Sequence, residues 1–117
     1  MIGIALDRTT VEAGEFLTGT VQWSGEPDRA ARLVIAAAYW RTDGAGNVAH
    51  GLGRVAQFKV PAGQRDATLP LRMLIPHEGP VSFQGELIAV EWKLHVRVDQ
   101  RGIDEQIETE FWVSVRR

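Results

Sequence analysis

Apolar and polar residues alternate along most of the chain, and this pattern predicts β-strands. The clearest run spans residues 88–98, where every second side chain is apolar and most of those between are charged or polar. Because successive side chains of a strand point to opposite faces, this strand is expected to have one buried and one exposed face. Its buried set is Ile88, Val90, Trp92, Leu94, Val96 and Val98.

The same period of two predicts five more strands. They span residues 2–6, 17–23, 55–60, 69–75 and 107–115. In the last of them, Phe111, Val113 and Val115 are predicted to point inward, because they alternate with more polar positions. Trp112 is predicted to point outward, on the face that also carries Glu110. The alternation therefore predicts strands along nearly the whole chain.

The apolar stretch Ala30–Trp40 is the one segment that could form a helix, because alanine favours helices. Its β-branched and aromatic residues, including Val34, Ile35 and Tyr39, favour a strand instead. The stretch is apolar on all sides, so we predict a buried central strand.

Turn-forming residues separate these segments. Asp99–Gly102 has the Asp and Gly positions of a type I hairpin turn, and Glu12–Glu15 carries a turn glycine. The glycine-rich stretch Asp43–Arg54 is predicted to be a mobile hairpin tip. Short strands divided by such turns are typical of an all-β sandwich or barrel. No linker or repeat divides the chain, so we predict one domain over residues 1–117.

The composition excludes several classes of function. The chain has no cysteine, which excludes disulfides and thiolate sites. Its formal net charge of −2 argues against nucleic-acid binding, which requires a basic surface. No apolar run approaches the roughly 20 residues of a membrane-spanning helix, and the N-terminus lacks the pattern of a signal peptide. We therefore expect a cytoplasmic protein with no nucleic-acid partner and no membrane insertion.

No catalytic or metal site is predicted. The histidines lack the spacing of metal ligands, and no serine lies in a nucleophile motif. Glu108 and Glu110 point the same way at about 7 Å, a separation also found between the carboxylates of inverting glycosidases. A flat exposed sheet face offers no cleft, however, and favours salt bridges to neighbours such as Lys93. We therefore expect a protein that is not an enzyme and has no cofactor.

Two tryptophans and one loop are candidates for an interface. An exposed tryptophan is costly and is enriched at protein contacts, so the outward position of Trp112 has two interpretations. The ring either packs under a neighbouring loop or contacts another chain. Trp40 is similar, because its strand is apolar on both faces. His77 and Glu78, in a loop between two prolines, form a candidate contact pair or a solvated turn.

A set of motif residues resembles the arrestin-like β-sandwich family. In that family an apolar strand ends in proline, and a Ser-x-x-Gly step then leads into a long strand with a central aromatic residue. A turn glycine followed by Gly-x-Val opens the second strand. The matching residues of this chain are Gly14, Gly19, Pro76, Pro80, Ser82, Gly85 and Trp92.

The resemblance implies an immunoglobulin-like, arrestin-like sandwich of two antiparallel sheets with about seven or eight strands. Eukaryotic members have two such domains and a charged core that senses receptor phosphates, and no residue here matches that core. The bacterial relatives linked to sporulation control, to which the chain is distantly similar, are the closer comparison. Binding without catalysis is what the family implies.

Two functions are predicted from this resemblance and the exposed aromatic residues. The first is a non-catalytic adaptor or scaffold module that binds an unidentified protein, or a second copy of itself as a homodimer. Self-association would bury Trp112 or the strand face around Ala36–Ala38, and partner loops lie near Asn47, Gly63 and His77. The alternative is a small-ligand or carbohydrate-binding β-sandwich that uses the exposed tryptophans.

Overall fold

The structure is a computed structural model, and it describes residues 2–24, 33–44, 47–59, 66–85, 87–100 and 103–115. These residues form nine strands and no helix, which confirms the predicted all-β class. The strands are β1 (Ile2–Leu6), β2 (Thr10–Glu12), β3 (Phe16–Ser24), β4 (Leu33–Gly44), β5 (Asn47–Lys59), β6 (Asp66–Leu74), β7 (Phe83–Gln84), β8 (Ile88–Gln100) and β9 (Ile103–Ser114).

The strands form two sheets of unequal size. The smaller sheet has the order β1-β3-β6, and the larger has the order β2-β9-β8-β4-β5 with β7 added beside β8. Neighbouring strands are antiparallel except for β2 and β9, which run parallel. The prediction of two antiparallel sheets with about seven or eight strands did not include β2, which forms the parallel pair, or β7, because three and two residues are too few to show a period.

The core lies between the inner faces of the two sheets. On β8, Trp92, Leu94, Val96 and Val98 are each at most 1% exposed, as the alternation predicts. On β9, Phe111 and Val113 are buried as predicted. Val115 was predicted to point inward but is 66% exposed, because β9 ends one residue before it.

The predicted central strand is confirmed as β4, which pairs with β5 on one side and β8 on the other. Residues 30–32 of the predicted segment lie outside the described residues. Val34, Ala36 and Ala38 are fully buried against the smaller sheet. Of the strand face expected to support self-association, Ala36 and Ala38 therefore belong to the chain's own core, whereas Ala37 is half-buried on the opposite face.

The hairpin predicted at Asp43–Arg54 is present, but its described residues are paired strand and not loop, and residues 45–46 lie outside the described residues. Strands β4 and β5 pair through this region as far as Gly44 and Asn47. The glycines leave space for tryptophan rings: a Cβ atom on Gly51 would overlap the ring of Trp40. One on Gly53 would lie 2.6 Å from Cζ3 of Trp92. Glycine within a strand here marks close packing and not a loop.

The turn predicted around Gly14 joins the ends of both sheets. Gly14 has a positive φ of 87°, a conformation that glycine adopts without steric cost. Its N–H donates a hydrogen bond to the Ile75 carbonyl, which follows β6 in the smaller sheet. The N–H of Ala13 donates to the Ser114 carbonyl at the end of β9. Asp99 and Gln100, predicted to lie in a turn, are instead paired in β8 with Asp104 and Ile103 of β9, and residues 101–102 lie outside the described residues.

Candidate functional site

Strands β8 and β9 separate at one end and form a fork. They pair from Gln100 and Ile103 as far as Trp92 and Phe111. Beyond that point β9 pairs with β2, and β8 pairs with β7. Had the ladder continued, Glu91 would lie opposite Trp112. These two side chains instead stand on the two arms of the fork, on the outer face of the larger sheet.

Ser82 occupies the base of the fork and replaces the missing strand partner of β9. Its backbone N–H donates to the Val113 carbonyl at 2.7 Å. Its Oγ accepts a hydrogen bond from the Val113 N–H at 2.8 Å. Ser82 is 6% exposed, so both polar groups of Val113 are satisfied away from water by one residue. This explains why a serine precedes β7 here.

Trp92 is fixed in the core beneath the fork. Its Nε1–H donates a hydrogen bond of 2.8 Å to the Pro80 carbonyl. Its ring packs against Phe111 with a centroid separation of 5.8 Å and an interplanar angle of 46°. A tilted pair at this distance is a favourable aromatic geometry. The arms of the fork therefore rest on a packed aromatic pair that is buried in the core.

A cavity of about 190 Å³ opens at the fork. Two of its aromatic residues reach solvent, because Phe83 is 53% and Trp112 42% exposed. We call Phe83, Glu91, Glu110 and Trp112 the fork surface. The residues that line the cavity are Ser82, Phe83, Gln84, Ala89, Val90, Glu91, Trp92, Glu110, Phe111 and Trp112.

The carboxylates of the fork surface form no salt bridge within the part of the chain that the structure describes. Lys93 lies directly opposite Glu110, and Arg41 directly opposite Glu91. Neither pair approaches within 4.0 Å. The sequence correctly predicted that Lys93 lies across from Glu110, but the expected salt bridge is not formed. Glu91 and Glu110 are both exposed and carry their charge into solvent.

Glu108, on the same outer face, contacts a tyrosine. The hydroxyl of Tyr39 on β4 reaches across β8 and donates a hydrogen bond to Glu108 Oε2. Burial raises the pKa of Tyr39 from its ordinary value of 10.0, and the hydrogen bond and the charge of Glu108 raise it further, to about 12. The pair therefore joins β4 to β9 over the strand between them.

The Tyr39→Phe variant is expected to change the alkaline stability. Because the folded pKa exceeds the unfolded one, protonated Tyr39 stabilises the fold below pH 10, and this contribution is lost as the pH rises through about 12. The free energy of unfolding of the variant should therefore fall less steeply over this window. Tyr39 is the one tyrosine of the sequence, so tyrosinate absorbance reports its pKa directly. A Glu108→Gln control should lower this pKa, and an unperturbed titration at pH 10 would contradict the prediction.

The structure separates the candidate interface residues of the sequence. Trp112 lies at the fork, exposed as its position in the alternation predicts. Trp40 lies on the inner face, half-buried and packed against the core. His77 and Glu78 are exposed in the loop between β6 and β7 and do not line the cavity. Asn47 is paired within β5, and the predicted loop position Gly63 lies outside the described residues.

The motif residues are spread over the fold. Ser82, Pro80 and Trp92 meet at the fork. Gly14 forms the turn between β2 and β3, and Gly19 lies within β3 opposite Leu6. Pro76 follows β6, and Gly85 lies exposed between β7 and β8.

Three residues of the fork surface were missed as interface candidates. Glu110 was expected to form a salt bridge, and Glu91 and Phe83 were not named as interface residues. The two glutamates share one signal, adjacency to buried aromatic residues: Glu91 precedes Trp92, and Glu110 precedes Phe111. Adjacency to a buried aromatic residue identifies an interface candidate only once the separation of β8 and β9 is known.

A second cavity, of about 440 Å³, lies beside the start of β3. It combines opposite charges, from Asp7, Arg8 and Glu15, with Phe16. The ring of Phe16 already has a cation above it, since Arg72 Cζ lies 3.9 Å from the ring centroid. Within the described residues, no group of His, Asp and Glu could hold a metal ion, and no helix could cross a membrane.

Comparison with known proteins identifies the fold. No protein-family model matches the sequence, and no curated protein matches it significantly. The solved structure of the sporulation control protein Spo0M from Bacillus subtilis is similar, with a TM-score of 0.77 and 18% sequence identity. The match covers 98% of this chain and 49% of that chain, so the chain spans about half the length of Spo0M. The fold of the chain is therefore an arrestin-like β-sandwich, as the motif residues predict.

Proposed function

We propose that the chain is a non-catalytic protein-interaction module of adaptor type, and that the fork surface is its contact surface. The observation that carries the proposal is the exposure of Phe83 and Trp112 beside one cavity, above the packed rings of Trp92 and Phe111. Large aromatic residues that reach solvent next to a pocket are the usual anchors of protein interfaces. The arrestin-like fold is compatible with this use.

The chemistry around the cavity supports binding over catalysis. Ser82 carries the one hydroxyl among the residues described as lining it, and that oxygen is buried and accepts the Val113 N–H. None of the described residues that line the cavity is a histidine that could act as a base for it. Glu91 and Glu110 lie on an exposed sheet face. These groups are suited to contact a partner.

The alternative of a small-ligand or carbohydrate site has less support. Small-molecule sites commonly have volumes of about 300–1,000 Å³, and the fork cavity has about 190 Å³. Trp40, the second tryptophan of that hypothesis, packs against the core. A shallow cavity with one exposed tryptophan is better suited to a protruding side chain of another protein.

The partner of the proposed module could be a second copy of the chain. The negative charge of the fork surface disfavours a homodimer formed through that surface. A two-fold symmetric contact places the same patch on both sides. Such pairing would bring Glu91 and Glu110 of one copy towards those of the other, which costs free energy as they lose water. We therefore place a different protein at the fork surface.

The proposal is tested by two variants with closely matched exposure. Trp112→Ser removes the proposed anchor, and Phe16→Ser removes an aromatic residue of similar exposure on the smaller sheet. Each is coupled to a resin and used to capture proteins from a lysate of the native cells. We expect a partner retained by the native chain and Phe16→Ser but reduced about 30-fold by Trp112→Ser, as for a typical interface anchor.

Circular dichroism and urea unfolding of both variants control for loss of the fold. A partner bound equally well by folded Trp112→Ser would contradict the assignment of the fork surface. Sedimentation of the purified chain tests the homodimer directly: a dimer that Trp112→Ser dissociates would replace the different protein with a second copy.

A further inference from the structure

We infer that the fork surface recognises a cationic side chain of the partner, an arginine above all, with an apolar residue beside it. This inference rests on the proposed function and specifies the chemistry of its partner. Four features support it: the local charge, the unpaired carboxylates, the exposed indole of Trp112 and the shape of the fork.

The charge of the cavity is negative. Among the described residues that line it, Glu91 and Glu110 are acidic, and there is no arginine or lysine. Lys93 and Arg41 occupy neighbouring positions of the outer face, yet neither reaches these carboxylates within 4.0 Å. A cation that enters the fork therefore meets two carboxylates that make no competing salt bridge in the described structure.

The indole of Trp112 adds a second attraction for a cation. Tryptophan is the strongest cation–π partner among the aromatic side chains. The chain already forms this kind of contact on the smaller sheet, where Arg72 lies over Phe16. In the described part of the chain no cation takes that place over Trp112, which is 42% exposed. In the proposed complex, the partner supplies the cation that lies over the Trp112 ring.

The shape of the fork favours arginine and an apolar neighbour. Guanidinium is planar, stacks on aromatic rings and binds carboxylates through two parallel hydrogen bonds. Glu91 and Trp112 stand on opposite arms, so a planar group between them can contact both. Phe83, 53% exposed beside the same cavity, offers apolar surface to the adjacent residue. A segment with arginine beside leucine meets these conditions.

The test uses the full chain and two peptides of equal shape. One is acetyl-Gly-Leu-Arg-Leu-Gly-amide, and the other has citrulline in place of arginine, which keeps the side-chain geometry and removes the charge. Binding is followed by the NMR signal of the Trp112 indole N–H, assigned by its absence in Trp112→Phe. We expect a saturable shift with the arginine peptide and about tenfold weaker binding of the citrulline peptide.

A Glu91→Gln, Glu110→Gln double variant should bind both peptides equally weakly, whereas Glu78→Gln, outside the cavity, should keep the preference. Equal affinity of the native chain for both peptides would overturn the cationic anchor and leave the interaction surface intact. An absence of any Trp112 shift, with capture from lysate still dependent on Trp112, would also overturn the inference alone. Loss of that dependence would overturn the proposed function itself.

Discussion

The Gly19→Ala variant is expected to be less stable than the native chain by about 1–3 kcal/mol, the usual cost of forcing an extra methyl group into a packed site. Gly19 pairs with Leu6 between β3 and β1. A Cβ atom there would press against the Ala5 carbonyl oxygen and lie 2.9 Å from Leu6 Cα. Both are backbone atoms, so no side-chain rotation relieves the clash. Urea unfolding followed by circular dichroism measures the effect.

Gly3→Ala is the matched control in the same pair of strands. A Cβ atom on Gly3 would meet nothing within 4 Å, so its stability should change by less than about 0.5 kcal/mol. Equal unfolding midpoints for Gly19→Ala and the native chain would show that β1 does not approach β3 this closely.

The Trp92→Phe variant is expected to be less stable than Trp23→Phe by about 2 kcal/mol, although both indoles are 1% exposed. Both substitutions remove the same atoms. In Trp92→Phe the Pro80 carbonyl loses its 2.8 Å hydrogen bond from Nε1. In Trp23→Phe the lost Nε1–H is a buried donor without a partner in the structure, so its removal relieves a penalty. The difference between the variants therefore combines the lost hydrogen bond of Trp92 with the relieved penalty at Trp23.

The comparison requires the difference in unfolding free energy between the two variants, measured in urea. The lost volume is common to both and largely cancels. If Trp23→Phe proved as destabilising as Trp92→Phe, the hydrogen bond from Trp92 to Pro80 would not contribute to the stability of the fork.

The alternation of the sequence predicted which face of each long strand is buried, because one face of each contacts the core. Leu94 and Val96 are inward, Lys93 is outward, and Trp112 is outward on β9. The alternation did not predict the full length of β5, because close packing against tryptophan rings decides the residue type at two of its positions. Gly51 and Gly53 break the apolar pattern of β5, and the reason is the bulk of tryptophans on β4 and β8, which only the tertiary structure reveals.

The fork surface could be predicted only in part. The outward direction of Trp112 follows from local alternation. The cavity beside it exists because β9 leaves β8 after Phe111 and pairs in parallel with β2, whose three paired residues each lie 102 positions from their partners. Such a long-range pairing of short strands leaves no local pattern in the sequence. Phe83 therefore had no sequence signal of its own.

The assignment of the fork surface as the protein-contact surface is tested most directly by position-specific photo-crosslinking. Benzoylphenylalanine is placed at Phe83 in one variant and at Phe16 in another, since both aromatic side chains reach solvent. Each variant is irradiated in native cells. The proposal predicts a discrete crosslinked partner from position 83 and none from position 16. Crosslinks from position 16 alone, or equally from both positions, would contradict it.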